Sequence, residues 1–500
     1  MSGFSHRASY INFAEHLQNA WNPNMYFPGA PNEWSVEDWG SYFKMIKAFG
    51  FNIFEFWLVP TLFDRPALEG GEAQKKFAEN MRNIIKVAHE NGIKVKTICS
   101  TNTVGPEWYF ACLNDPEDRK LSYDLWEHWM KELEGIDYVG IFPGDPGGCN
   151  RNGCTYKTYI DYAIELMHNV VLKHHPDAIC TLGTWGTPFS GWDKDLHEVP
   201  NWDGSWGMLI DPLYATPEIP CHIWNGDKTR AKEAMEYLIS KLPEFPENAI
   251  IEINLGFSPD ATHIMGGNAK KWAREIAKQR DIVTWDYSLA EGELINYPHW
   301  RLPRMSMKMR EWKATAPYIG GMSYTMTPKL NLLSQYVAGQ ILSDTNTCPD
   351  TASCDFCEKV FGKENRILGE LFEAFEVVNG WGHHPRHDWS KADLIEAYDE
   401  IIERLEKADM SKCELPLFPD PETHRQDLLW FAKEFRKLAG DNPDREAIKK
   451  EYWDKSLAIY NVIPMSADER ADLAATNFSK ILEDNEPKLS WVDLLPEEEK

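Results

Sequence analysis

Residues 51–59 read FNIFEFWLV, residues 75–92 read KKFAENMRNIIKVAHENG and residues 93–100 read IKVKTICS. The outer two are short apolar runs of strand length, while the middle segment repeats apolar residues every three to four positions and closes on Gly92, a common helix stop. A strand, an amphipathic helix and a second strand form the unit from which parallel sheets are built. The same alternation extends from about residue 20 to about residue 345. Strand candidates are NMYF (24–27), FNIFEFWLV, IKVKTICS, YVGIFP (138–143), AICTLGTW (178–185), IIEINLGF (250–257), DIVTWDY (281–287) and YIGGMSY (318–324). Between them lie helical segments such as EDWGSYFKMIKAFG (37–50) and YIDYAIELMHNVVLKHH (159–175). Eight strands with seven visible helices predict an α/β chain built as a closed (β/α)8 barrel, the TIM barrel.

An open doubly wound sheet would place a glycine-rich phosphate loop after an early strand, and FNIFEFWLVPTLF has none. For strand six, SWGMLI and PCHIWN within residues 186–249 compete with IIEINLGF. Beyond residue 345 the strand pattern stops, and LIEAYDEIIERLEKA and QDLLWFAKEFRKLA read as helices. The expected organisation is a catalytic barrel over residues 1–345, with an N-terminal extension, and a C-terminal α-helical domain over residues 346–500.

Composition narrows the function. A formal net charge of -26 argues against nucleic acid or an anionic membrane as partner, since both reward clustered lysine and arginine. No stretch approaches the ~18 apolar residues of a membrane span. The start, MSGFSHRASYINF, lacks the charged, apolar and cleavage regions of a signal peptide, so a cytoplasmic location is expected. Cys99, Cys180 and Cys221 fall in apolar runs, and disulfides are not expected. Cys149 with Cys154 and Cys354 with Cys357 form two close pairs, but about 200 residues separate them and no histidine stands at ligand spacing. Neither a metal nor a cofactor is expected, and a homo-oligomer is compatible with the sequence.

Barrel enzymes place their working residues just past the strand ends. Strand two carries Glu55 and Trp57, strand four runs into Asp145 in PGDPGG, strand five delivers Trp185, and strand seven continues as WDYSLAEGE with Trp285, Asp286, Tyr287, Glu291 and Glu293. The link between strands five and six adds Trp192, Trp202, Trp206, Asp211 and Trp224. Two carboxyl groups facing each other across a barrel mouth can hydrolyse a glycosidic bond, one donating a proton and one attacking carbon or activating water. Sugars lay their C–H faces on flat rings, which makes 21 tryptophans informative once several fall on these loops. Asp145 before Pro-Gly-Gly is also ordinary turn chemistry, Asp286 could simply orient a loop, and Glu55 could be a paired interior carboxylate. No phosphate loop, zinc helix motif or adjacent Ser/His/Asp set is present.

Four stretches carry a family likeness: GIFPGDPGGCNRNGC (140–154), LKHHPDAICTLGTW (172–185), DIVTWDY (281–287), and the run from NLLSQYVAGQILSD (331–344) to CDFCEKVFGKENRILGELFEAF (354–375). In this order they resemble bacterial barrel glycoside hydrolases related to α-glucuronidases, β-N-acetylhexosaminidases and the endo-β-N-acetylglucosaminidases of N-glycans, over roughly residues 20–380. The resemblance implies roles for Asp145, Gly147, Gly148, Cys149 and Cys154 after strand four, and for Trp285, Asp286 and Tyr287 later. Phe361 and Gly362 match its closing helical turn. Hexosaminidases that recruit the substrate acetamido group carry two adjacent acids after strand four, where this chain has Gly144-Asp145-Pro146. That departure favours a direct two-carboxylate mechanism.

The sequence therefore predicts a glycosidase for a small oligosaccharide or glycoside. Asp145 is the expected general acid and Asp286 or Glu293 the second carboxyl, with Glu55, Trp57, Trp185, Trp206, Asp211, Trp224, Trp285 and Tyr287 binding the sugar. Two other classes remain open: a sugar lyase, isomerase or epimerase on the same scaffold, and a carbohydrate-binding barrel without turnover.

Overall fold

The computed structural model describes residues 3–11, 34–58, 62–105, 109–142, 151–184, 228–254, 269–285, 316–325, 329–377 and 390–440, together with residues 444, 447 and 451. Eight strands close into a barrel: β1 (His6–Ile11), β2 (Ile53–Leu58), β3 (Lys94–Ser100), β4 (Tyr138–Phe142), β5 (Ile179–Gly183), β6 (Ile250–Asn254), β7 (Asp281–Trp285) and β8 (Gly320–Thr325). They follow chain order around the barrel, and every neighbouring pair is parallel.

Strand one corrects the sequence-based expectation. NMYF (24–27) lies outside the described residues and is not among the eight strands; HRASYI (6–11) opens the barrel, within the stretch expected to be an extension. Its polar composition hid it, because the Arg7 and Ser9 side chains find their hydrogen-bond partners, and His6 its ring neighbour, only in the folded barrel. The Arg7 guanidinium donates to the carbonyls of Gly50 (2.6 Å) and Phe4 (2.5 Å), the Ser9 and Tyr42 hydroxyls meet at 2.9 Å, and His6 packs edge-on against Tyr138 at 5.5 Å. The doubt over strand six is resolved, since Ile250–Asn254 pairs with β5 on one side and β7 on the other.

Helices alternate with the strands: α1 (Val36–Phe49), α2 (Glu72–Glu90), α3 (Pro116–Glu132), α4 (Tyr156–Leu166), α5 (Lys228–Lys241), α6 (Ala269–Ile276) and α7 (Leu332–Ser343). Residues 286–315, between β7 and β8, lie outside the described residues. Local chemistry explains where α1 starts and stops. The Ser35 hydroxyl accepts the Asp38 N–H at 3.1 Å, and the Asp38 carboxylate accepts the Ser35 N–H at 2.9 Å, a capping box. At the other end Gly50 takes φ 109°, and a Cβ there would stand 2.2 Å from Ser343 Oγ, so only glycine fits.

The barrel sheet separates two cores. Outward side chains such as Phe54, Phe56, Val95, Ile141, Ile251 and Ile282 pack under the helices. Inward ones, including Ala8, Ile53, Ile98, Ile250, Val283 and Met322, fill the barrel itself. The C-terminal helices α8 (Pro349–Phe361), α9 (Lys391–Lys407) and α10 (Pro421–Leu438) join the outer core. Phe356 of α8 meets Phe49 of α1 at 6.2 Å and Tyr336 of α7 at 5.3 Å. Phe418 stands edge-on to Trp34 at 4.8 Å. Among the described residues no helix is long and apolar enough to cross a membrane.

Candidate active site

Alternation along a barrel strand sends every second side chain inward. On β2 that rule delivers Glu55 between Ile53 and Trp57, and the parallel register sets Glu55 beside Lys96 of β3. Lys96 Nζ lies 3.2 Å from Glu55 Oε1 and 2.7 Å from Glu252 Oε1 of β6. The Thr181 hydroxyl of β5 donates to Glu252 Oε1, and the Trp285 indole N–H of β7 donates to Glu55 Oε1 at 3.1 Å. Five strands thus contribute to one hydrogen-bonded chain through the barrel centre. Its charged members are sealed from water, with Lys96 1% exposed and both glutamates 0%. Glycine makes the room: a Cβ at Gly140 of β4 would come within 3.1 Å of Ile98 and Thr181 and 3.4 Å of the Lys96 stem.

Burial pushes the Glu55 carboxyl up to about 7 against the pull of Lys96, and the Glu252 charge adds to the push. For Lys96, burial acts downward, yet the two carboxylates outweigh it and hold its pKa above the ordinary lysine value. The two carboxylates thus favour the protonated form of Lys96. The outer oxygens, Glu55 Oε2 and Glu252 Oε2, are buried and have no hydrogen-bond partner among the described residues.

Above this chain, toward the C-terminal strand ends, lies an aromatic layer. Phe142 closes β4 and Trp285 closes β7, and their rings meet at 5.1 Å. Tyr10 stacks on Tyr324 at 4.9 Å, and the two stand edge-on to Trp285 at 5.9 and 6.4 Å. Trp57, half-buried, packs against both cores. A Cβ at Gly183 would lie 2.2 Å from the Phe142 ring, so the end of β5 is shaped to receive it. From outside the barrel, the Tyr159 hydroxyl on α4 reaches the Ile141 and Gly183 carbonyls at 3.0 and 2.8 Å and ties the ends of β4 and β5 together.

Of the residues singled out by sequence, Glu55, Trp57 and Trp285 are described, and Glu55 and Trp285 are hydrogen-bonded to each other. Asp145, Trp185, Trp206, Asp211, Trp224, Asp286, Tyr287 and Glu293 lie outside the described residues. Sequence reasoning missed Lys96 and Glu252. The available signal was a charge in the middle of an apolar strand, in IKVKTICS and IIEINLGF, as in FNIFEFWLV. It missed Tyr10, Phe142 and Tyr324 as layer members because their meeting depends on barrel closure. Cys354 and Cys357 are buried in α8 and Cys154 is buried near the start of α4, while Cys149 lies outside the described residues.

No family model matches the chain, and no curated protein matches it. Solved structures do resemble it. A GH138 enzyme targeting the pectin rhamnogalacturonan II is similar at a TM-score of 0.52 and 10% identity, over 97% of this chain and 62% of that enzyme. This chain thus spans less than two thirds of its length. CpGH84B is similar at a TM-score of 0.45 and 12% identity, over 95% of this chain and 74% of that one. The likeness to the GH138 enzyme is one of fold.

Proposed function

We propose that this chain is a glycosidase that cleaves a small oligosaccharide or glycoside at the C-terminal mouth of its barrel. The observation that carries this reading is the contact between Phe142 and Trp285. They end β4 and β7, which two other strands separate, and their rings meet over the barrel interior at 5.1 Å. The segments that leave these two positions carry Asp145 and Asp286, with Glu293 seven residues beyond Asp286. Two acids carried by the segments that follow β4 and β7 suit glycoside hydrolysis, with the aromatic rings taking the sugar's C–H face. Asp145 is assigned as general acid and Asp286 or Glu293 as the second carboxyl, while Trp57, Trp185, Trp206, Trp224, Trp285, Tyr287 and Asp211 serve the sugar. Glu55, fully enclosed, acts from beneath. The protonated state of Lys96 disfavours a lyase or isomerase that would use it as a base.

A screen of aryl glycosides, with product anomers followed by NMR, tests the reading, and an absence of hydrolysis across common configurations would overturn it. Once a substrate is found, Asp145→Asn tests the acid. Loss of proton donation should slow glycosides with poor leaving groups by about 100-fold or more, and activated aryl glycosides far less. Equal losses on both would reassign Asp145 to the turn.

A further inference from the structure

We infer that Glu55 is a positioning residue: held by Lys96 and Glu252 beneath the aromatic layer, it fixes the setting of the Trp285 indole and with it the surface on which the sugar ring is laid. The inference rests on the glycosidase reading and names the group that aligns its platform. An indole has a single polar atom, the Nε1–H donor, so the direction of that one hydrogen bond sets the direction of the ring. The ring neighbours constrain it less. Phe142 at 5.1 Å, Tyr10 at 5.9 Å and Tyr324 at 6.4 Å meet Trp285 edge-on, and such contacts keep their attraction over a wide range of distances and tilts. The bond from the indole N–H to Glu55 Oε1, 3.1 Å long, weakens steeply once it is bent.

The construction beneath Glu55 makes it a fixed acceptor. Lys96 Nζ, from the neighbouring strand β3, lies 3.2 Å from Glu55 Oε1, the same oxygen that receives the indole, and 2.7 Å from Glu252 Oε1. β2 and β6 stand opposite each other in the closed strand order, so Lys96 ties the Glu55 carboxylate across the width of the barrel. The Thr181 hydroxyl donates to Glu252 Oε1 and ends the chain on β5. Glu55, Lys96, Glu252 and Thr181 are all sealed from bulk water, which therefore does not compete for these bonds. Ion pairing alone would stabilise the barrel centre without reaching the mouth, and the step from Glu55 to Trp285 connects the two. Trp285 is the last residue of β7, directly before Asp286.

The test is 19F NMR of the full chain labelled with 5-fluorotryptophan, in which Trp285→Phe identifies the Trp285 line. Glu55→Leu keeps most of the volume, removes the acceptor and leaves Lys96 paired with Glu252, so the Trp285 line should shift and broaden or split. Glu55→Gln restores an oxygen acceptor and should return a single line close to that of the unmodified protein. Glu55 is faced by Lys96 from β3, Glu252 from β6 and, in register beside it, Tyr10 from β1. Its proton gives a second signature: in the unmodified protein the Trp285 line should move with a midpoint near pH 7, and in Glu55→Gln it should not. On an aryl glycoside that is turned over, Glu55→Leu should raise KM about tenfold and change kcat less, because a platform holds substrate and transition state alike. Glu55→Gln should recover most of that loss. A Trp285 line unmoved by Glu55→Leu overturns the inference, as do equal rises in KM for the Leu and Gln variants. If Glu55→Leu does not fold, the titration of the unmodified protein decides, and a line that stays still around pH 7 defeats the proposal. Hydrolysis with an unresponsive line leaves the glycosidase reading standing without this inference, whereas a responsive line with no aryl glycoside hydrolysed removes that reading and leaves the hold of Glu55 on the indole.

Discussion

Lys96 touches two buried carboxylates, and the result of removing it follows from charge alone. Lys96→Met fills much of the same volume but strands Glu55 and Glu252 beside each other without a counter-ion. The expected loss of stability is ~3–5 kcal/mol, the range for breaking a buried ion pair from one side. Lower pH protonates Glu55, which burial already pushes up to about 7, so the loss should shrink between about pH 8 and about pH 5. Urea unfolding at both values checks this, and a loss independent of pH would mean that the carboxylates are neutral already. Gly183→Ala is a second single-atom test. Its new methyl would stand 2.2 Å from the Phe142 ring, so that ring or the end of β5 must move. A destabilisation of ~1–3 kcal/mol is expected, accompanied by weaker sugar binding if Phe142 belongs to the floor.

At the scale of elements, α10 carries a titratable group that does nothing for the site. His424, in the first turn of α10, is buried and lies parallel to the Phe361 ring of α8 at 6.3 Å. Burial lowers its pKa from 6.5 to about 3. Between those values the unfolded chain binds a proton that the folded chain refuses, so stability is full above about 6.5 and falls as pH drops toward about 3. By about pH 5 the loss is ~2 kcal/mol. His424→Leu should flatten the decline between about pH 7 and pH 5 by that amount, measured as the shift in denaturation midpoint at each pH. Glu55 works in the opposite sense. Its folded value of about 7 exceeds the free value of 4.5, so folding is favoured as pH falls from about 7 toward 4.5. Glu55→Gln should remove that contribution.

For the molecule as a whole, the apolar groups of α8, α9 and α10 belong to the same continuous core as the outer face of the barrel. Phe49 and Tyr336, which meet Phe356, and Trp34, which meets Phe418, would be uncovered if residues 346–500 were cut away. The barrel and these helices should unfold in one calorimetric transition, and a barrel ending at residue 345 should be insoluble or unfolded. Two resolved transitions would show instead that the helical part folds by itself.

Seven of the eight strands and the helices between them were legible because each is a local pattern: a short apolar run, or apolar residues at helical spacing bounded by a cap. The first strand was not, because HRASYI is apolar only at positions whose burial the neighbouring strands create. Glu55, Trp57 and Trp285 could be picked out as strand-borne residues near the barrel mouth, but not the contact that joins Glu55 to Trp285. Those two are 230 residues apart in the chain and 3.1 Å apart in the fold. Sequence by itself determined the period of seven strands and of the helices between them, hence the barrel and its inward and outward faces. Only closure of the sheet decided which inward residues met, because register and tilt, summed around eight strands, bring Lys96 between two carboxylates that no local pattern relates.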